Sequence, residues 1–93
     1  MSSRKDLKKQ INESMGLLYT DCVLYKTFTK NPNTEKADEI ISKIADAHIN
    51  FLGRVNITEG KDVKNRVSAY YKKLKEDLKN QINELGQEIQ NLD

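Results

Sequence analysis

The chain has 93 residues, a formal net charge of +2, and 37% hydrophobic and 32% charged residues. This length fits one domain, so we expect a single helical domain over residues 1–93. One cysteine excludes a disulfide scaffold, the lack of a long apolar run excludes a membrane span, and four glycines with one proline are too few for a turn-rich β-sandwich.

The first predicted helix covers residues 4–30. Apolar or small residues recur there every three or four positions, which keeps them on one side of a helix. The members of this stripe are Leu7, Ile11, Ser14, Leu18, Cys22, Tyr25 and Phe28, and Leu17 and Leu24 widen it. Gly16 lies inside the pattern and costs about 1 kcal/mol relative to alanine.

The second predicted helix covers residues 33–54 and follows a break around Pro32. The residue before a proline is disfavoured in helical geometry, and Asn31 or Thr34 is a suitable N-cap for the next helix. Gly53 is the expected stop signal. The apolar stripe is Ala37, Ile40, Ile41, Ile44, Ala47, His48, Phe51, Leu52 and Val55.

The third predicted helix covers residues 59–92, with Thr58 as its candidate N-cap. Its stripe keeps steps of three and four throughout and passes Gly86 without losing phase. The members are Val63, Val67, Tyr70, Tyr71, Leu74, Leu78, Ile82, Leu85, Ile89 and Leu92.

These three segments predict an all-α, up-down-up three-helix bundle with an extended C-terminal helix, since short loops make successive helices antiparallel neighbours. At 1.5 Å per residue the third helix exceeds the second by about 18 Å. We expect this surplus at the C-terminal end of the third helix. An apolar stripe on an uncovered helix usually indicates a partner.

The leading functional hypothesis is therefore a small, non-enzymatic helical interaction module that self-associates through the end of the third helix. A coiled-coil homodimer is the simplest form, and another helical protein with the same kind of stripe is the alternative partner. The candidate interface residues are Ile82, Leu85, Ile89 and Leu92. Two readings without a partner stay open: the first helix covers the stripe, or the tail frays after Gly86.

No catalytic, cofactor-binding or metal-binding residue is predicted. His48 is the only histidine, and a metal site in a helical bundle needs further histidine or carboxylate ligands at matched spacing. Cys22 lies on the core stripe, where a cysteine behaves as a small apolar residue. Glycine-rich phosphate loops and zinc-protease motifs are absent from the sequence.

A second functional hypothesis is a nucleic-acid-binding accessory protein that uses a basic face over residues 61–79. Lysines and arginine there can contact phosphates, and a tyrosine can stack on bases. The candidate residues are Lys64, Arg66, Tyr71, Lys72, Lys75 and Lys79. The near-even overall charge argues against this hypothesis, and no helix has the aromatic and basic faces of a membrane-surface helix.

The expected location is cytoplasmic. The single cysteine suits a reducing compartment, and the N-terminal residues lack the apolar core of a signal peptide.

Overall fold

The computed structural model describes residues 4–57 and 64–92, with side chains for 5–56 and 69–92. Over these residues the chain forms three helices and no strand: α1 Arg4–Phe28, α2 Thr34–Ile57 and α3 Lys64–Gln90. The all-α prediction is confirmed. The predicted start of the third helix at residue 59 and its cap Thr58 lie outside the described residues.

The connection between α1 and α2 differs in detail from the sequence prediction. Asn31 has a positive φ of 56°, a left-handed conformation that asparagine tolerates better than most residues, and α1 ends before it at Phe28. Asn33 is the N-cap of α2, because its side-chain oxygen accepts a hydrogen bond of 3.1 Å from the Lys36 N–H. The predicted caps, Asn31 and Thr34, are therefore wrong by one or two residues.

The expected stop at Gly53 is also wrong, since α2 continues to Ile57. Phe51 and Val55 are buried on either side of this glycine. Their packing outweighs the cost of about 1 kcal/mol that glycine imposes inside a helix. Local helix propensity is a weak signal where apolar residues on the same face enter the core.

Fourteen residues from all three helices form one buried apolar cluster. They are Leu7, Ile11, Met15, Leu18, Cys22, Ala37, Ile40, Ile44, Phe51, Val55, Leu74, Leu78, Leu85 and Leu92. Most belong to the predicted stripes, but α1 buries Met15 where the sequence suggested Ser14, and it leaves Phe28 exposed. The buried line on α1 passes through Leu7, Ile11, Met15, Leu18 and Cys22.

Side-chain contacts between helices show their relative directions. Asn12 meets His48 and Lys26 meets Asp38, so α1 and α2 are antiparallel. Lys43 meets Glu88 at 2.8 Å and Arg54 meets Asp77 at 2.9 Å, so α2 and α3 are antiparallel as well.

The same contacts set the register of α3, and the surplus of this helix lies at the opposite end from the prediction. Lys43 and Arg54 are eleven residues apart, as are Asp77 and Glu88, so the end of α2 at Ile57 is level with about Leu74. The first turns of α3 therefore extend past the end of α2. The predicted excess of about 18 Å depends on residues 58–63, which lie outside the described residues.

At the other end of the bundle, Tyr25 ties the three helices together. Its hydroxyl accepts a hydrogen bond from the Asn33 N–H at 2.8 Å and donates one to the Leu92 carbonyl at 3.2 Å. The α1–α2 connection and the end of α3 are thus held to one side chain of α1. This contact leaves the C-terminal end of α3 beside α1 rather than projecting beyond it.

Candidate interaction surface

The four predicted interface residues do not form an exposed stripe. Leu85 is 0% exposed and Leu92 is 8% exposed, while Ile82 and Ile89 are partly buried and pack against the core. These four residues are covered rather than exposed, because the end of α3 is level with the end of α1 and the start of α2. The helix continues through Gly86 to Gln90, so the reading in which the tail frays after Gly86 is not what the structure shows.

The structure describes part of the predicted basic face. Lys72, Lys75 and Lys79 are exposed and share one side of α3, and none forms an ion pair with another described residue. Tyr71 is half-buried and packs against the core, and the centroids of its ring and of the Tyr70 ring are 6.2 Å apart. Its ring is therefore not presented for base stacking. The side chains of Lys64 and Arg66 lie outside the described part of the chain.

Cys22 and His48 are far apart and do not form a catalytic pair. Cys22 is fully buried, and burial raises the pKa of its thiol, which disfavours the nucleophilic thiolate. His48 lies 2.6 Å from the Asn12 side-chain oxygen, and Asn12 is ten residues, or about 15 Å along α1, from Cys22. His48 thus makes the polar contact expected of a residue at the edge of the core.

The most prominent surface feature is an apolar face on the outer side of α1, which we call the α1 docking face. It consists of the exposed large side chains Leu17, Tyr19, Val23, Leu24 and Phe28. Leu17 is 68% exposed and Phe28 is 78% exposed. Only one other large apolar side chain in the described region, Ile49 on α2, is exposed to this degree, at 73%. Exposed apolar residues are thus concentrated on the second half of one helix.

Most residues between these apolar side chains are small and uncharged, but the exposed Asp21 lies four residues after Leu17 and three before Leu24. Gly16, Thr20 and Thr27 complete the outer side of α1, while Asp21 and Lys26 lie along its two edges by helical spacing. Thr20 donates its hydroxyl proton to the Gly16 carbonyl at 2.9 Å, so this hydroxyl already has a hydrogen-bond partner when water is excluded. The face can therefore be covered without leaving the Thr20 donor unpaired.

One edge of the α1 docking face opens into a groove between α1 and α2. This groove has a volume of about 300 Å³. Its lining is Met15, Gly16, Tyr19, Ile41, Ile44, Ala45 and His48. All but His48 are apolar or aromatic, apart from the hydroxyl of Tyr19. The groove extends the apolar surface from α1 toward α2.

The helical spacing of apolar residues does not by itself identify this face, although the sequence carries a signal for it. The spacing predicts Phe28 as part of the core stripe and Leu17 and Leu24 as its wider edge. The segment from Ser14 to Thr29 contains only two charged residues, in a chain with 32% charged residues. A helix that is apolar on more sides than its neighbours can cover indicates a docking surface.

Among the described residues, no group of three or more histidine, cysteine or acidic side chains is arranged to hold a metal ion. Within the described ranges, no helix has an apolar stretch long enough to cross a membrane. Searches against family models, curated proteins and solved structures find no match for this chain.

Proposed function

We propose that this protein is a non-enzymatic helical interaction module that self-associates through the α1 docking face. The observation that carries the proposal is the set of five large apolar side chains exposed along the outer half of α1, with the exposed Asp21 among them. Single exposed apolar residues are ordinary, but a contiguous group marks an interaction site. Covering this group removes apolar surface from water, which favours association.

The proposed interface lies on α1 and not at the end of α3, where the sequence predicts it. Leu85 and Leu92 are already covered by the chain's own helices, so a partner has little surface to gain there. Leu24 and Phe28 have no such cover. The difference in burial can be tested by substitution. A charge at exposed Leu24 or Phe28 should weaken association without disrupting the core, whereas a charge at buried Leu85 should unfold the protein.

The test is the mass of the protein in solution, by light scattering coupled to size exclusion at two protein concentrations. We expect a mass near twice 10.7 kDa for the wild type at the higher concentration. The double variant Leu24→Asp/Phe28→Asp should remain a monomer at both concentrations, because two charges would have to be buried in the contact.

Ile49→Asp is the matched control, since Ile49 is as exposed as Phe28 but lies on α2 away from the face. This variant should associate like the wild type, and circular dichroism should show equal helix content in all three proteins. A wild-type monomer at high concentration would refute self-association. A double variant that still dimerises would refute the assignment to α1.

A second candidate function is nucleic-acid binding by the face of Lys72, Lys75 and Lys79. The observation that favours it is their shared exposure without ion-pair partners among the described residues. Titration with labelled DNA and RNA at two salt concentrations separates this candidate from the first. Binding that weakens steeply with salt supports it, and no binding at low salt removes it.

A further inference from the structure

We propose that a groove between the first half of α1 and the middle of α3 binds a small amphiphile with one anionic head group, of the class of a medium-chain fatty carboxylate. We call it the α1–α3 groove. It has a volume of about 260 Å³ and is lined by Gln10, Lys75, Leu78, Lys79, Ile82 and Asn83. The inference does not depend on self-association, because none of these residues belongs to the α1 docking face.

The floor of the α1–α3 groove is apolar. Leu78 is 1% exposed, and Ile82 is partly buried and packs against the same buried cluster. A hydrocarbon chain that lies along these two side chains removes apolar surface from water, both its own and that of the protein. The volume is just below the range of about 300–1,000 Å³ for sites that hold drug-sized molecules. The groove therefore suits a short chain.

One wall of the groove carries two cations. Lys75 and Lys79 are exposed and four residues apart, so they lie on the same side of α3, about 6 Å apart along its axis. Neither forms an ion pair with another described residue, and no acidic residue is among those that line the groove. Gln10 and Asn83 add uncharged amide N–H donors, which a carboxylate can accept. An anionic head group therefore gains charged partners here without displacing an existing ion pair.

The two acidic residues between these lysines in the sequence do not line the groove. The Asp77 carboxylate accepts hydrogen bonds from Lys73 at 3.0 Å and from Arg54 of α2 at 2.9 Å, so its charge is directed toward α2. Glu76 is exposed and lies outside the lining. The groove thus combines cations, amide donors and an apolar floor, and this combination matches an ionised head group with a short tail.

The experiment is a titration of the ¹⁵N-labelled protein with octanoate at pH 7, followed by NMR. We expect saturable shifts of the side-chain amide signals of Gln10 and Asn83, because both line the groove. Decanoate should bind about 4- to 15-fold more tightly than octanoate, since each buried methylene contributes a factor of about two to four. Acetate has the head group alone and 1-octanol the tail alone. Both should bind more weakly than octanoate, acetate by more than about fiftyfold.

Two double variants test the lysine wall. Lys75→Gln/Lys79→Gln should weaken octanoate binding by about 3- to 30-fold, because two exposed charge contacts are lost. Lys5→Gln/Lys30→Gln is the matched control: it removes the same total charge at exposed positions outside the groove, and it should bind octanoate like the wild type. The affinity for 1-octanol should be the same in all three proteins, and circular dichroism should show equal helix content.

Equal affinity of the two double variants for octanoate, or equal affinity of the wild type for octanoate and 1-octanol, would overturn the role given to the lysines. Equal affinity for acetate and octanoate would overturn the role of the apolar floor. If octanoate at millimolar concentration does not shift the Gln10 and Asn83 signals, the site itself is refuted. The variant Leu24→Asp/Phe28→Asp should bind octanoate like the wild type, so a failure of self-association leaves this inference standing.

Discussion

We expect the Tyr25 hydroxyl to stabilise the fold, because its oxygen joins the α1–α2 connection to the end of α3. Replacing Tyr25 with phenylalanine keeps the ring and its packing and removes only this oxygen. Two hydrogen bonds are lost, one from the Asn33 N–H and one to the Leu92 carbonyl. At about 0.5–1.5 kcal/mol for each bond, the free energy of unfolding should fall by about 1–3 kcal/mol.

The lower part of this range is the better estimate, because Asn33 is exposed and water can replace one of the two partners. For a chain of this length, a loss of about 1.5 kcal/mol lowers Tm by about 6–12 °C. Urea unfolding followed by circular dichroism gives the free energy, and a thermal scan at the same concentration gives Tm. Both measurements should be made on proteins in the same assembly state, because dimerisation also stabilises the fold.

Tyr19→Phe provides the control, since Tyr19 is exposed and its hydroxyl has no hydrogen-bond partner in the described region. Its effect on unfolding should stay within about 0.5 kcal/mol. Hydrogen exchange adds a local readout: the Asn33 amide should exchange faster in Tyr25→Phe than in the wild type. Equal stability of the two variants, with unchanged Asn33 exchange, would refute the role given to the Tyr25 hydroxyl.

Two further predictions concern the core and the ion pairs. Leu85→Ala should lower the free energy of unfolding by about 2–5 kcal/mol. Leu17→Ala should change it by less than about 0.5 kcal/mol in the monomer. Similar losses in the two variants would contradict the burial of Leu85 and the exposure of Leu17. The hydrogen bonds from Lys73 and Arg54 hold the pKa of Asp77 below its ordinary value, so its stabilising contribution is present above that value and is lost as the pH falls through the lowered pKa. Asp77→Asn should therefore be less stable than the wild type in urea at pH 7, and the difference should shrink as the pH falls below the ordinary carboxyl pKa; a difference that does not change with pH would contradict the pairing.

The class of the fold and most of the core can be predicted from the sequence alone. Steps of three and four residues identify a helix and its apolar side without reference to any other helix, and Ile40, Ile44, Leu74 and Leu78 are buried as this spacing predicts. The approximate bounds of the helices also follow from local signals, such as the proline at position 32. The spacing predicts the buried side of α2 and of most of α3 correctly, because each of these helices has one clear apolar side.

Which apolar residues of α1 are covered depends on how the three helices pack. Between Leu17 and Phe28 this helix is apolar on more than one side, so spacing alone cannot show which side faces the core. The positions of α2 and α3 bury Leu18 and Cys22 and leave Leu24 and Phe28 exposed. The sequence pattern is the same for covered and uncovered residues, and the difference arises from where the neighbouring helices pass.

The register of α3 was likewise set by contacts between distant residues. Helix length gives the size of an overhang but not the end at which it occurs, because that depends on how far one helix slides along another. The ion pairs Lys43–Glu88 and Arg54–Asp77 place the overhang at the start of α3, and the Tyr25 hydroxyl holds its other end beside α1. This register buries Leu85 and Leu92, and it leaves the outer side of α1 as the largest uncovered apolar surface in the described part of the chain.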